Sequence, residues 1–414
     1  MTLLVVHKAW QPFDGEFIRV RNVATEVIRA LQCERVTELV VIPALPPTRF
    51  VQAWRGAHAI HGSRRIILPL VFPRLHMPFM RSLNRVLQIG AGWAAGRVVK
   101  PGMVLGATSG SWVPAKTAAT AANARCIVDI HGAAGEEIEY AYPKSNWRDA
   151  DIRAAELNEG EMLKNSWVVI CQSEAMVRHL RSKHPDRPGR VIAYGCGVDT
   201  DIFRFDAAAR ARVRAELGVT EQDSVLVYSG GLHRWQLVDR TLECFRVYLR
   251  VNPGNHKLML LSREEPTAVL AEVRRHAIPE ESVVVRQLGH ADVPGYLSAG
   301  DVGFLLRHDS VVNRVASPTK LGEYLACGLP VAVGPVAGYW VPVDRAPQCT
   351  LVVDPDNPEM AALNLDAFIK GMSKHREHIR ALCSEQAACH LSTSGFSKAL
   401  QAALRETCGW IEAA

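Results

Sequence analysis

The feature that most constrains the fold is an alternation of short apolar, β-rich runs with longer stretches of helical period along almost the whole chain. Such an alternation is typical of β-α-β units in a parallel sheet. The runs fall into two series, Leu3–His7, Val36–Pro43, Arg65–Leu70, Met103–Thr108, Cys126–Ile130 and Trp167–Cys171, then Ser224–Ser229, Lys257–Leu261, Ser282–Gln287, Val302–Leu306, Pro330–Val333 and Leu351–Val353. The sequence therefore predicts an α/β protein with two doubly wound, Rossmann-like domains that face each other across a cleft.

The helical stretches lie between these predicted strands. They are Ile18–Leu31, Pro78–Val98, Ala150–Asn165, Glu174–His184, Leu237–Arg250, Glu264–His276, Pro294–Ala299 and Thr319–Ala326. After the last predicted strand, residues 357–414 have helical composition only. We expect these final helices to cover the second domain and to pack back toward the first.

A polar segment rich in proline and glycine, His184–Gly189, indicates where the first domain ends. With 414 residues the chain is long enough for two cores. We expect an N-terminal domain over residues 1–188, a C-terminal domain over 189–395, and a helix over 396–414 that returns toward the N-terminal domain.

Charge and cysteine content narrow the class of partner. The net charge is +6, without the long basic runs of a nucleic-acid-binding arm, so we expect an anionic substrate or membrane surface and no nucleic acid. The ten cysteines form no C-x-x-C pair, which argues against a zinc site or a disulfide framework. The N-terminus is apolar at once and shows no charged leader, so we expect a cytoplasmic protein.

The most informative segment for chemistry is Ser317–Val331. Pro318 lies near the first turn of a short predicted helix, and Gly328 is placed to end it. The N–H groups at such a helix start attract a phosphate, and Lys320 adds a full positive charge. Glu323, about one turn later, is placed to accept hydrogen bonds from two vicinal hydroxyls, as of a ribose. An ordinary β-α unit with a surface Lys–Glu pair accounts for the same spacing.

This segment resembles the donor-site motif of family 4 glycosyltransferases, which are retaining enzymes of the GT-B fold. Four other segments also resemble parts of the family, in the expected order. They are the first loop (Gln11–Val20), the strand end with the active-site histidine (Val128–Gly132), the glycine-rich linker (Tyr194–Phe203) and the second glycine loop (Leu226–Gly231). The resemblance implies transfer of a sugar from a nucleotide diphosphate to a hydroxyl of a glycan or lipid-linked glycan, in polysaccharide or cell-surface glycan biosynthesis. It also implies that the domain over residues 1–188 lies on the acceptor side and that the domain over 189–395 binds the nucleotide sugar.

The resemblance also implies roles for individual residues. The residues expected to bind the donor are Gly15, Gly230, Gly231, Ser317, Pro318, Thr319 and Glu323, the glycines because a side chain would occupy the space of the diphosphate. The residues expected to be catalytic are His131, Glu323, Lys320 and Arg234. A histidine at a strand end is by itself more often a structural residue, and only the resemblance favours the catalytic interpretation of His131.

Two departures from the family pattern affect this prediction. Many members carry an acidic residue eight positions before the second acid of the motif, where this chain has Val315. Backbone N–H groups around Ser317–Thr319, or the side chains of Asp309 or Asn313, are candidates to replace it.

The second departure lies in the loop after Gly230. Members of the family often have an arginine directly after this glycine and a lysine five residues further on, where this chain has Gly231 and Gln236. His233, and above all Arg234 and Lys320, are the candidates to supply the missing positive charge.

Neither a D-x-D pair nor a His/Asp cluster is placed to hold a metal between phosphates, so we expect no metal and no cofactor besides the nucleotide sugar. Two alternatives stay open: a nucleotide-sugar 2-epimerase of the same fold, and a non-catalytic binding subunit without the first acid. The base, the sugar, the acceptor, the linkage and the oligomeric state are not encoded in a pattern that we can interpret.

Residues 74–100 predict an amphipathic helix. Its apolar face comprises Leu83, Val86, Leu87, Ala91 and Ala94, and its basic residues are Arg74, Arg81, Arg85, Arg97 and Lys100. The apolar face is expected either to pack on the first domain's sheet or to bind weakly, as a peripheral contact, to an anionic membrane at its inner face.

Overall fold

The computed structural model describes residues 1–8, 15–43, 60, 63–70, 78–142, 148–186, 189–232, 234–340 and 347–412. The chain divides into two compact units. The first comprises Met1–Tyr194 together with Ser397–Ala414, and the second comprises Gly195–Phe396. The loop Gln11–Asp14, Arg74 and His233, which the sequence patterns single out, lie outside the described residues.

The first unit is built on a seven-stranded parallel sheet. Its strands are β1 (Thr2–Lys8), β2 (Arg35–Pro43), β3 (Arg64–Leu70), β4 (Met103–Gly106), β5 (Arg125–Ile130), β6 (Val168–Cys171) and β7 (Val191–Ala193). They lie in the order β3-β2-β1-β4-β5-β6-β7. All residues of β4 and β6 are buried, because helices cover both faces of the sheet.

The helices of the first unit follow the strands in the alternation expected for β-α-β units. They are α1 (Gly15–Leu31), α2 (Pro78–Val99), α3 (Trp112–Ala122), α4 (Ala134–Ala141), α5 (Arg148–Asn165) and α6 (Glu174–Lys183). The hydroxyl of Ser173 caps α6 by accepting a hydrogen bond from the N–H of Met176.

The second unit is built on a six-stranded parallel sheet with β8 (Val225–Ser229), β9 (Lys257–Leu261), β10 (Val283–Arg286), β11 (Val302–Leu305), β12 (Val331–Val333) and β13 (Thr350–Val352). Their order is β10-β9-β8-β11-β12-β13. The helices are α7 (Ala207–Glu216), α8 (Val238–Val251), α9 (Pro266–Arg275), α10 (Val293–Ala299), α11 (Val311–Arg314), α12 (Thr319–Ala326), α13 (Pro358–Met372) and α14 (Arg376–His390). The predicted α/β class with two parallel-sheet domains is confirmed.

The last helix, α15 (Thr393–Glu412), starts in the second unit and continues in the first. Within the first unit, Gln401 donates a hydrogen bond to the carboxylate of Glu26 on α1. Arg190 donates to the carboxylate of Glu406 at 3.1 Å. These contacts attach the end of the chain to the N-terminal sheet and its helices.

Helix α2 packs on α3 through small residues that the predicted apolar face does not include. A side chain at Gly92 or Gly96 would collide with the backbone of Pro114 or Ala118 on α3, so glycine lets the two helices approach closely. Larger apolar residues remain exposed instead, namely Val86 (64%), Ile89 (42%), Trp93 (54%) and Val98 (79%). Of the predicted apolar face, Val86 and Ala94 are exposed, whereas Leu83, Leu87 and Ala91 are half-buried, so only part of this face is covered.

None of the helices in the part of the chain that the structure describes is both long and apolar enough to cross a membrane.

Candidate functional site

The donor motif of the second unit forms a loop, the helix α12 and the start of β12. Gly328 has φ +68°, a left-handed conformation that favours glycine and lets the chain turn after the helix. Tyr324 is fully buried, and its hydroxyl accepts a hydrogen bond from the N–H of Ser229 at 2.7 Å. This bond ties α12 to the end of β8 and thereby fixes the face of α12 that carries Lys320 and Glu323.

Lys320 lies against the loop after β8. Its Nζ donates to Gln236 Oε1 at 2.7 Å and to the Tyr228 hydroxyl at 3.4 Å, and it lies 4.6 Å from the centre of the Tyr228 ring. Gly230 has φ +139°, and a side chain there would collide with the Lys320 amine. The glycine is thus required for this approach. Burial, assisted by the nearby Arg307, lowers the pKa of Lys320 to about 7.

Glu323 follows Lys320 by one turn of α12 and is partly exposed. Among the described residues no group donates a hydrogen bond to its carboxylate. Burial raises the pKa of Glu323 to about 7, although the positive charges of Lys320 and Arg263 act in the opposite direction. A carboxylate with free acceptor positions is suited to bind hydroxyl groups.

The residues before α12 form its N-terminus. Pro318 is the N-cap, and its side chain makes no capping hydrogen bond, while Thr319 is exposed. The hydroxyl of Ser317 accepts a hydrogen bond from the N–H of Cys196 at 2.9 Å. The donor motif is thereby attached to the glycine-rich segment Tyr194–Phe203, which resembles the family's linker.

For the other residues predicted to act at the donor site, the structure gives their position and few contacts. Arg234 is exposed on a short 3-10 helix, Arg234–Gln236, and Gly231 accepts a hydrogen bond from the Tyr228 hydroxyl at 2.6 Å. Gly15 begins α1 in the first unit. The roles assigned to these residues stay predictions.

Arg307, which the sequence patterns did not single out, is a further charged residue in this region of the second unit. It follows β11 and is buried, with Nη2 donating to Gln236 Oε1 and Nη1 to Asn313 Oδ1, each at 3.2 Å. A charged residue directly after the apolar run Val302–Leu306 was the only sequence signal for it.

The position of the missing first acid is filled by an apolar side chain. Val315 is buried. Of the proposed replacements, Asp309 forms a two-point ion pair with Arg314, with both contacts at 2.6 Å, and Asn313 is buried and bonded to Arg307. Both side chains are thus already engaged in local contacts.

His131 follows β5 in the first unit and belongs to a buried polar cluster. Its Nε2 lies 2.8 Å from Asp129 Oδ2, and Arg19 donates to both oxygens of Asp129, at 2.7 and 2.9 Å. Arg19 also donates to the carbonyl of Tyr194 at 2.8 Å. Burial acts to raise the pKa of Asp129, but Arg19 and His131 outweigh it and hold the pKa below its usual value.

Glu136, which follows His131 closely in the motif, is held by contacts with α6 of the same unit. Its carboxylate accepts hydrogen bonds from His179 at 3.1 Å and from Lys183 at 3.0 Å on α6. Burial acts to raise the pKa of Glu136, but these two partners lower it to about 2. The neighbouring Glu137 lies against Gly132, where a side chain would collide with its carboxylate.

Comparison with known proteins connects these features to a family. A model described as Glycosyltransferase Family 4 matches residues 20–202. A D-inositol 3-phosphate glycosyltransferase from Segniliparus rotundus is 24% identical over 231 residues, which cover 55% of this chain and 49% of that protein. The chain spans about half the length of the curated relatives it matches.

Solved structures resemble the chain over nearly its full length. Sucrose-phosphate synthase from Thermosynechococcus elongatus has a TM-score of 0.70 at 15% identity and covers 99% of each chain. HepE from Anabaena in complex with UDP has a TM-score of 0.66 at 14% identity and covers 98% of this chain and 100% of its own. Residues 20–202 are therefore similar to family 4 glycosyltransferases, and the chain has the GT-B fold, as its motifs predicted.

Proposed function

We propose that the protein is a retaining glycosyltransferase that moves a sugar from a nucleotide diphosphate to a hydroxyl of a glycan or lipid-linked glycan, in polysaccharide or cell-surface glycan biosynthesis. The observation that carries the proposal is the pair on α12, in which Glu323 offers free acceptor positions one turn after the positive Lys320. A ribose supplies two hydroxyl donors to such a carboxylate. HepE has been crystallised with UDP and with UDP-glucose, which favours UDP as the nucleotide.

The chemistry requires positive charge beside the leaving group. When the bond between the sugar and the diphosphate breaks, its electron pair goes to a phosphate oxygen, and donors already in place there stabilise the transition state. Lys320 and the N–H groups at the start of α12 are such donors. The acceptor hydroxyl then forms the new bond to the sugar on the face that the diphosphate leaves, and its proton passes to the departing phosphate oxygen.

We propose that turnover needs no divalent metal and no cofactor besides the donor, because Lys320 supplies positive charge to the diphosphate. The described residues contain no group of three or more His, Cys, Asp or Glu side chains that could hold a metal ion. Transfer in excess EDTA is expected to match transfer with magnesium or manganese. Loss of turnover in EDTA, with recovery on adding either metal, would contradict the proposal.

We further propose a cytoplasmic location with weak contact to an anionic membrane. The support is the exposed stripe of α2, where Val86, Ile89 and Trp93 lie beside the exposed Arg85 and Arg97. The Arg97 guanidinium lies 5.6 Å from the Trp93 ring centre. Aromatic and basic side chains together suit the interface of a bilayer.

The deciding experiment is a thermal-shift screen with UDP, GDP, ADP, CMP and dTDP, because a ligand that binds the folded state raises the melting temperature. We expect one nucleoside diphosphate to stabilise the wild type and to lose most of this effect in Glu323→Gln. Glu385→Gln, a change at an exposed carboxylate on α14, is the matched control and should respond like the wild type. A wild type that responds to none of these nucleotides would refute the proposal.

The open alternatives are separated by the product. Incubation of the responding nucleotide's sugar donor without acceptor yields an epimer if the protein is a 2-epimerase. A protein that binds the donor but transfers no sugar to any acceptor, and forms no epimer, is a binding subunit, an outcome that the buried Val315 in place of an acid keeps open.

A further inference from the structure

Arg307 is a buried arginine, 8% exposed, two residues beyond the end of β11. One of its N–H groups donates to the side-chain oxygen of Gln236. Gln236 occupies the loop position at which family 4 enzymes often have a lysine. A positive side chain from another strand therefore lies beside the loop whose own expected positive charge is missing.

Lys320 donates to the same oxygen of Gln236. The two donor nitrogens are no more than 5.9 Å apart, since the hydrogen bonds measure 2.7 Å for Lys320 and 3.2 Å for Arg307. After burial, Arg307 is the next cause of the lowered pKa of Lys320, which reflects the repulsion between the two groups. The neutral side chain of Gln236 thus accepts hydrogen bonds from two positive groups.

A neutral amide oxygen is a weak partner for two positive groups. Hydrogen bonds between charged donors and a phosphate oxygen are roughly twice as strong as neutral ones. The planar guanidinium also matches the spacing of phosphate oxygens better than an ammonium does. A ligand with two linked phosphates is therefore a better partner for this pair than Gln236 is.

We propose that Arg307 is the second positive group of the donor phosphate subsite, where it binds the diphosphate together with Lys320 and replaces the missing loop cations. This assignment rests on the proposed function. Gln236 is the acceptor that holds both side chains until the diphosphate takes over their hydrogen bonds. Arg234, which the sequence patterns favoured, is exposed and plays the smaller part.

The test measures binding of inorganic pyrophosphate by calorimetry, because this probe carries the two phosphates without a base or a sugar. We expect Arg307→Met to weaken binding about tenfold or more, as for loss of a hydrogen bond between charged groups. Arg307→Lys should retain part of the affinity, and Arg234→Met should lose less than Arg307→Met. Arg314→Met, at a surface arginine paired with Asp309, is the control and should bind like the wild type.

A second variant answers the objection that loss of a buried arginine merely damages the fold. Gln236→Glu places a carboxylate between Lys320 and Arg307, so its negative charge offsets the positive charges of the two side chains. We expect this variant to melt no lower than the wild type and to lose pyrophosphate binding. In addition, the pKa of the Lys320 amine, measured by NMR with labelled lysine, should rise in Arg307→Met, a change that a purely structural role does not produce.

The outcomes separate this inference from the proposed function. Unchanged pyrophosphate affinity in Arg307→Met, or no pyrophosphate binding by the wild type, overturns the role of Arg307. If a nucleoside diphosphate still binds in a manner that depends on Glu323, the proposed function survives that result. If pyrophosphate binds through Arg307 but no nucleotide binds, the anion subsite stands and the proposed function fails.

Discussion

Each of the two units carries a polar cluster, and the clusters differ in how their charges are matched. In the first unit, Asp129 is held by two hydrogen bonds from Arg19 and one contact with His131. In the second unit, Lys320 donates to neutral oxygens, and the Glu323 carboxylate accepts no hydrogen bond from the described residues.

The pKa values follow this difference. Burial raises the pKa of both carboxyl groups, but in Asp129 the partners outweigh burial, whereas in Glu323 burial prevails and the pKa reaches about 7. A charge that is matched inside the protein has no need of a ligand. The unmatched pair on α12 gains most from one, and this contrast supports the proposal that the second unit binds an anionic, hydroxyl-bearing molecule.

The largest effect is expected when the matched cluster is broken. Asp129→Asn leaves the guanidinium of Arg19 buried without its negative partner, so the free energy of unfolding should fall by about 3–5 kcal/mol. Urea denaturation monitored by circular dichroism measures this loss. Asp149→Asn, at an exposed aspartate paired with Arg148, is the control and should change stability by less than about 0.5 kcal/mol.

The pH dependence of the free energy of unfolding tests the same cluster and has a predicted direction. Because the pKa of Asp129 is lowered on folding, its stabilising effect is present above its unfolded pKa of about 3.9 and is lost as the pH falls through the folded value. Asp129→Asn should therefore remove part of the loss of stability in acid. A variant that unfolds in acid as steeply as the wild type would show that the cluster is not matched in this way.

Removing a charge from the unmatched pair should lower the affinity for ligand and leave the stability of the fold intact. Glu323→Gln removes a carboxylate that accepts no hydrogen bond from the described residues and whose burial outweighs the nearby positive charges, so the free energy of unfolding should stay the same or rise slightly. Nucleotide-sugar affinity should fall by about 1–3 kcal/mol, the range for loss of a charged hydrogen-bond partner. Calorimetric titration decides the matter, and equal affinity in both proteins would remove Glu323 from the donor site.

A third test uses the two pKa values near 7. Lys320 binds the diphosphate better when it is protonated, so nucleotide-sugar affinity should fall as the pH rises above about 7. Glu323 binds the ribose better when it is ionised, so the affinity should also fall as the pH drops below about 7. We expect a bell-shaped dependence of nucleotide-sugar affinity with its maximum near pH 7. Glu323→Gln should remove the acidic limb and Lys320→Met the basic limb.

A nucleotide sugar is the right ligand for this profile because it has no terminal phosphate that titrates near neutral pH. A flat profile in the wild type between pH 5.5 and 8.5, measured at constant ionic strength, would contradict the unmatched character of the pair. The Glu385→Gln control should retain both limbs.

Much of the fold was predictable because strands buried on both faces of a parallel sheet give continuous apolar runs, as in Val168–Cys171. Strand β7 was missed because three residues, Val191–Ala193, are too few to form a pattern. Helix α3, Trp112–Ala122, was missed because its alanines and threonines show no clear period. The packing face of α2 was predicted only in part because glycines can form a helix contact that hydrophobicity does not signal.

The candidate site was predictable only where it is local in sequence. Lys320 and Glu323 share one helix, so their spacing was informative. The pairing of Asp129 with Arg19 joins residues 110 positions apart, and no pattern in one sequence reveals it. Arg307 was missed for the same reason, since its contact with Gln236 depends on how two strands lie in the sheet.

The smallest effect is expected at the surface of the first unit. It tests whether this unit, whose buried cluster is matched, binds an anionic membrane. We expect weak, salt-sensitive binding to anionic vesicles through α2, with each basic residue near the surface contributing about 1 kcal/mol. The sequence patterns favoured Arg81 with Arg85 for the test, but the side chain of Arg81 lies outside the described part of the chain.

The variant is therefore Arg85→Glu with Arg97→Glu, two exposed residues of α2 that flank the apolar stripe. Sedimentation with vesicles containing an anionic lipid, at low and high salt, should show binding by the wild type at low salt and a marked loss in the double variant. Arg153→Glu with Arg178→Glu, at exposed positions on α5 and α6, makes the same change in net charge away from α2 and should reduce binding less. If both double variants lose binding equally, net charge is responsible and not α2, and if the wild type does not bind at low salt, the contact between α2 and the membrane does not exist.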